Sequence, residues 1–324
     1  MTKSATREAA DKVTFTQAEV NSAITAGDTV ARAGRKNLII NGGFDVWQRG
    51  TTGAQVNSQF VADRWKGNNY TTGTLTFSQR TDATGQTFRT YGRLAQSSAG
   101  SNNSTQGIMQ WIEGLHLVGK TITVSFKVRG NAALSGCKVR GVIAEQTFNL
   151  TTDWVKHSFT GTGIQDGSNT RLMFDWGLEN TTWHVDIAEV QVEVGSVATD
   201  FEHRSYGEEL ALCQRYYEVI ASGASNSNQF FGIGQGAKYD QINWFYDFKV
   251  EKRGAFTLEV VSSQYQAKTH SATRATSTLG MTSAQQNLGR ISAYMTSISN
   301  VTEQSAWQMS CSSSSAHIAV SAEL

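Results

Sequence analysis

Proline is missing altogether from the 324 residues, where ordinary usage of about 5% would supply roughly 16. Turns must therefore rest on Gly, Asn, Asp and Ser, and no prolyl isomerisation slows folding. Cysteine is scarce as well: Cys137, Cys213 and Cys311 are widely spaced, odd in number and free of any CxxC pattern. They suggest neither a disulfide framework nor a zinc site and are expected to be reduced thiols. Charge of neither sign dominates, with 28 basic against 27 acidic residues and a net charge of +1. Without a dense Lys/Arg run the chain lacks the electrostatic footprint of a nucleic-acid binder. No apolar run approaches the roughly 18 residues of a membrane span. Met1 to Lys12 is polar with no apolar core, so cytoplasmic synthesis without a signal peptide is expected.

What is present is mostly short, alternating and β-like. Residues 1–36 hold one helix candidate, where Thr16 and Glu19 have capping-box spacing ahead of a narrow stripe of Val20, Ala23, Ile24 and Val30. The stripe is too thin for a domain, and the segment reads as an assembly anchor or as a disordered leader. From Asn37 onward short apolar alternations are separated by Gly, Asn, Ser and Thr clusters. The clearest is Thr121 to Arg129, with Ile122, Val124, Phe126 and Val128 on one face and polar residues on the wet side. No helix-period segment follows such runs, which argues against a parallel α/β sheet. The apolar parity flips between Ile187 and Val190, predicting one strand with a β-bulge near Ala188. Ser205 and Glu208 form a second capping-box spacing that opens a short helix with Leu210, Cys213 and Tyr217 on a common face. Beyond Ser222 alternation resumes with Ile242, Trp244, Tyr246, Phe248 and Val250. The Ser/Thr/Ala/Gln stretch 263–289 fits either surface loops or polar, Thr-rich strands.

Asn37-Leu-Ile-Ile-Asn-Gly-Gly-Phe-Asp-Val-Trp-Gln-Arg-Gly50 resembles the opening strand of the bacteriophage tail-fibre and minor-tail-protein group, whose first domain is a carbohydrate-binding-module-like jelly roll. Ala62-Asp-Arg-Trp65, Gly119 to Arg129, Asp153 to Phe159 and Val185 to Arg204 are similar to the motifs that follow it. Ser205-Tyr-Gly-Glu-Glu-Leu-Ala-Leu-Cys-Gln-Arg-Tyr-Tyr217 is the most specific piece. Phe248 to Thr257 and Ala322-Glu-Leu324 resemble the small C-terminal β domain of the same group. Asp200, Glu251 and Phe256 stand where the group commonly has proline, and 261–320 matches nothing in it. The resemblance implies virion localisation, in tail or fibre, and association as a homotrimer. It also implies a structural calcium held by oxygen ligands between the first and last strands. Asn41, Asp45 and Glu189 come nearest to that pattern, and Ala188 stands where such modules often place an acid.

Catalytic signatures are few. The six histidines are scattered with no HExxH or paired spacing, and neither a GxSxG elbow nor a P-loop occurs. Gly232-Ile-Gly-Gln-Gly236 lacks the βαβ setting of a dinucleotide loop and reads as a turn or a tightly packed strand. A polysaccharide hydrolase would need two carboxylates in one cleft, and Glu113, Asp175, Glu179, Asp186 and Glu189 are the candidates. Sugar binding calls instead for an exposed ring beside amides. Of the eight tryptophans, Trp47, Trp65, Trp154 and Trp176 sit in or beside apolar strand patterns and read as core, and Trp111 and Trp183 are the candidate glycan-stacking rings.

The sequence therefore predicts an all-β chain of two β-sandwich (jelly-roll-like) domains with a short N-terminal helical anchoring segment and a short inter-domain helix. The expected divisions are a virion-anchoring segment over 1–36, the carbohydrate-binding-module-like jelly roll over 37–204, a helical linker over 205–221, and a small C-terminal β-sandwich over 222–324 as the receptor-contacting tip. The expected role is non-enzymatic: a fibre-type subunit that joins other tail or capsid proteins through its N-terminal segment and binds host cell-surface glycan or protein. No cofactor beyond the calcium, no nucleic acid and no membrane insertion are expected. The rival is a purely architectural tail or capsid decoration subunit, whose conspicuous patches are buried in subunit contacts.

Overall fold

The computed structural model describes residues 36–54, 59–69, 73–98, 106–113, 116–165, 170–177, 181–222, 230–260, 265–269, 273–276, 278–281, 288–296, 298, 301, 305–313 and 316–323. The expected N-terminal anchor lies, Lys36 apart, outside these residues. Period-2 alternation produces two facing sheets in the N-terminal half. One has the strand order β1 (Thr52–Ala54), β3 (Leu75–Arg80), β4 (Tyr91–Gln96), β11 (Trp183–Val194), β6 (Thr121–Gly130), β9 (Val155–Thr162). The other runs β2 (Lys66–Asn69), β5 (Gln106–Trp111), β10 (Arg171–Asp175), β7 (Leu134–Gly141), β8 (Gln146–Leu150). Every pairing is antiparallel. Ile122, Val124, Phe126 and Val128 of β6 meet Phe148, Leu172 and Phe174 of the opposite sheet in one buried core.

The parity flip is a bulge. Register against β6 slips between Ala188 and Gln191, and Glu189 takes φ 49° to absorb the extra residue. Val185 and Ile187 before it, and Val190 and Val192 after it, all stay in the core. The expected wet side of β6 is drier than alternation suggests, because Thr123 and Ser125 are both buried. The Thr123 hydroxyl is held by Thr160 Oγ1 at 2.9 Å and Gly195 O at 2.8 Å.

Helix α1 (Tyr206–Gln214) opens on the expected capping box, with the Ser205 and Glu208 side chains each accepting from the other residue's backbone N–H. It seats Cys213 against Ile40, Val46 and Tyr216. Next come a three-stranded sheet, β12 (Tyr217–Ser222), β21 (His317–Ser321), β15 (Thr257–Val260), and a seven-stranded one. The latter runs β17 (Thr273–Thr276), β16 (Tyr265–Lys268), β20 (Ala306–Cys311), β13 (Phe230–Lys238), β14 (Gln241–Asp247), β19 (Arg290–Thr296), β18 (Thr278–Met281). A second core of Ile242, Trp244, Ile291, Met295, Met309 and Ile318 lies inside them. The described part of 263–289 is thus mostly strand, with Tyr265 and Ala267 reaching into the second core, and Gly232 to Gly236 is a packed strand within β13.

The chain's last residues return to the first sandwich. Ala322 N donates to Tyr216 O at 2.7 Å, while the Glu323 carboxylate pairs with Arg49 at 3.4 Å and with Arg64. The two guanidiniums lie over the rings of Tyr217 and Tyr216, at 3.4 and 3.5 Å from the centroids. Beside them Asp63 is buried, which pushes its carboxyl up to about 7 even though Arg49 sits 3.3 Å away. Cys137, Cys213 and Cys311 are free and buried, and burial pushes the Cys137 thiol up to about 12.

Candidate ligand-binding face

The sequence-predicted residues do not converge. Trp183, expected to be exposed, is 5% exposed and belongs to the main core, since it shares the inward parity of Val185 and Ile187 on β11. Trp111 is half-buried, and its ring has the Lys66 ammonium at 4.7 Å and the Arg171 guanidinium at 5.8 Å from its centroid. Cations in that range compete with a sugar for the ring face. Trp47, Trp65 and Trp176 are core as expected. Trp154 instead packs with Phe88 and Tyr91 in a small separate cluster.

The calcium set does not fit an ion. Asn41, in the left-handed region at φ 58°, spends its side chain on the fold. Its Nδ2 donates to Val46 O at 2.8 Å and Asp63 O at 3.0 Å, and its Oδ1 accepts from Val46 N at 3.0 Å. Glu189 is already neutralised by Lys127 at 2.9 Å and accepts from Thr87 at 3.0 Å, while Asp45 accepts from Thr90. Among the described residues no group of three His, Cys, Asp or Glu could hold a metal ion. The opening motif is structural throughout: Asn37 Oδ1 accepts from Ile39 N and Val192 N, its Nδ2 donates to Val190 O, and a Cβ on Gly42 would lie 2.1 Å from that same carbonyl oxygen.

Nor do the carboxylates share a cleft. Glu113 is bound by Arg215 at 3.0 Å and Tyr216 at 2.6 Å, Asp186 by Arg93 at 2.6 Å and Arg129 at 2.8 Å, and Asp175 by Arg140 at 3.6 Å. Each faces its own cation, and Glu179 lies outside the described residues.

The surface that does gather the right chemistry is the outward face of the seven-stranded sheet. On β14, Ile242 and Trp244 point inward, so parity forces Phe245 outward, where it is 56% exposed. Leaving a Phe ring in water forgoes about 1.5–3 kcal/mol of burial. On β13 the glycines take the inward positions: a Cβ on Gly234 would lie 2.5 Å from Ile242 Cγ2, and one on Gly232 3.1 Å from Met309 Cε. Ile233, 63% exposed, and Gln235 take the outward ones. The register Gly234↔Trp244 sets Ile233 opposite Phe245, and Gln235 pairs directly with Asn243. From β20, Gln308 stands beside Ile233 and Ala306 beside Gln235. Gln241 Nε2 donates to Asn243 Oδ1 at 2.6 Å, fixing that amide. Together Ile233, Gln235, Asn243, Phe245 and Ala306 border a depression of about 440 Å³ with the Gly234 and Gly236 backbone among its walls. No ionisable side chain lines it. At the far end of β14, Asp247 is paired with Arg290, whose hydrogen bond holds the carboxyl below its usual range. Sequence reasoning missed this site, although Phe245 was visible as the one aromatic on the polar parity of its strand.

No protein-family model and no curated protein matches the chain. Among solved structures, one described as "CBM4 structure and function" is 24% identical, over 48% of this chain and 98% of its own, at TM-score 0.32. The N-terminal cellulose-binding domain of Cellulomonas fimi β-1,4-glucanase C is 14% identical, over 48% of this chain and 95% of its own, at TM-score 0.29. The enzymatically active domain of bacteriophage CBA120 tailspike protein 4 is 12% identical, over 49% of this chain and 22% of its own, at TM-score 0.35.

Proposed function

We propose that the chain is a non-catalytic, fibre-type virion subunit that attaches its particle to a host cell surface, with the C-terminal sandwich as the contacting end. The observation that carries this reading is the exposed Phe245 and Ile233 pair with the amides Gln235, Asn243 and Gln308 around it. An aromatic ring left in solvent beside polar groups is what an adhesin surface requires. The separate pairing of Glu113, Asp175, Asp186 and Glu189, each with a cation of its own, speaks against hydrolysis. In this reading the N-terminal segment joins tail or capsid proteins and the chains associate as a homotrimer. The sequence resemblance to tail-fibre and minor tail proteins over about residues 37–260 supports the virion setting.

A purely architectural role has one observation of its own. Val118, Ile164 and Val197 are all more than half exposed at one end of the first sandwich. Hydrogen bonds from Gly119 N to Gly163 O at 3.0 Å and from Gly195 N to Thr121 O at 2.9 Å gather their loops there. Such a patch suits packing against a neighbouring subunit.

Adsorption competition separates the two. Host cells mixed with excess purified protein should resist adsorption, leaving more free phage in the supernatant. Unchanged adsorption with folded, assembled protein would reject the attachment role in favour of the architectural one.

A further inference from the structure

We infer that the outward face of β13, β14 and β20 is a binding site for neutral glycans, with a pyranose ring stacked on Phe245 and the amides of Gln235, Asn243 and Gln308 taking its hydroxyls. This names a ligand class for the attachment reading above and rests on it. Three features select the class. The ring presents an open apolar face beside Ile233, which matches the C–H face of a sugar. Asn243 and Gln235 lie beside it along the strands and Gln308 beyond Ile233, and amides suit hydroxyl groups, which both donate and accept. The lining carries no charge, so a uronate, a sialate or a phosphate would be desolvated there with no partner.

The same features argue against a second copy of the chain as occupant. Self-association through Phe245 would bury exposed Gln235 and Gln308 against an apolar surface and leave amide groups unpaired. The depression, of about 440 Å³, falls within the range of roughly 300–1,000 Å³ typical of small-ligand sites.

The test uses the full chain on a printed array carrying neutral hexose and N-acetylhexosamine oligosaccharides beside uronate- and sialate-terminated ones. Retention is expected on neutral spots and should persist when salt is raised about tenfold, because no ion pair is involved. Phe245→Ala, at an exposed position, should lower affinity about tenfold or more, Phe245→Trp should keep it, and Trp111→Ala should leave it unchanged. Retention only on acidic sugars, retention on none, or a loss that follows Trp111 rather than Phe245 would overturn the assignment. So would sedimentation showing that Phe245→Ala dissociates an oligomer. If the protein blocks phage adsorption but no glycan holds it, the ligand class fails and the attachment reading stands. If neutral glycans hold it while adsorption is unaffected, the site stands and the attachment reading fails.

Discussion

Lys252 and Glu218 form an ion pair at 2.6 Å with both side chains wholly shut off from solvent. Each remaining valence is met. The ammonium also donates to Gln214 O at 2.7 Å and Val250 O at 2.8 Å, while the other carboxylate oxygen accepts from Tyr246 at 3.0 Å and Lys249 N at 3.2 Å. The pair ties the end of α1 to β12 and to the segment after β14. Removing one partner leaves an uncompensated buried charge, so Lys252→Met should cost about 3–5 kcal/mol by urea denaturation. The double variant Lys252→Met with Glu218→Gln should regain part of that loss. A single variant within about 0.5 kcal/mol of wild type would show that the pair contributes little.

Asn41 is the knot of the opening motif. Replacing it with Ala strips partners from Val46 N, Val46 O and Asp63 O, all in a buried turn. It also places a residue less suited than Asn at φ 58°. Each orphaned group costs about 1–3 kcal/mol, so Asn41→Ala should lower the unfolding midpoint sharply. Because these oxygens are spent inside the fold, EDTA should leave the wild-type melting temperature unchanged; a fall on chelation would restore the calcium reading.

Trp183 separates core from surface. As an inward residue of β11 it should cost about 3–5 kcal/mol when replaced by Ala. The same change at Trp111, which is half-buried beside Lys66 and Arg171, should cost clearly less. Parallel thermal melts of the two variants check this, and equal losses would contradict the burial assigned to Trp183.

Much of this architecture was legible because period 2 is a local signal. The strand β6, the bulge at Ala188 and the capping box at Ser205 each follow from neighbours a few residues apart. What escaped depends on partners far along the chain. Thr123 looks wet until Gly195 and Thr160 close over it, and Lys252 looks like a surface lysine until Glu218, on β12, is brought under it. The site escaped for a different reason. Tryptophan drew attention as the stacking residue, yet most tryptophans here fill cores, while Phe245 gains its exposure only because Ile242 and Trp244 claim the inward parity of β14. The calcium expectation followed from resemblance, and a motif cannot display the hydrogen bonds and ion pair that Asn41, Asp45 and Glu189 already make.

His317 makes the stability of the C-terminal sandwich respond to pH. Its Nε2 lies 2.8 Å from the Tyr217 hydroxyl, in a hydrogen bond that either group can donate. Burial lowers the His317 pKa, opposed by Glu259 and assisted by Arg49. His157, set against Phe126, Phe148 and Phe159, is lowered by burial too. A histidine whose folded pKa lies below the unfolded value of about 6.5 takes up its proton more readily in the unfolded chain. Its contribution is therefore present above about pH 6.5 and is lost as pH falls through that value and below. Asp63 acts with the opposite sign: raised to about 7, it favours the fold most below its ordinary value of 3.8, and that contribution is lost as pH rises through about 7. Comparing wild type with His317→Gln, whose amide can still hydrogen-bond Tyr217 but does not titrate, isolates the histidine. The wild-type free energy of unfolding should fall more steeply than the variant's as pH drops below about 6.5, and identical slopes would mean that His317 is not the group responsible.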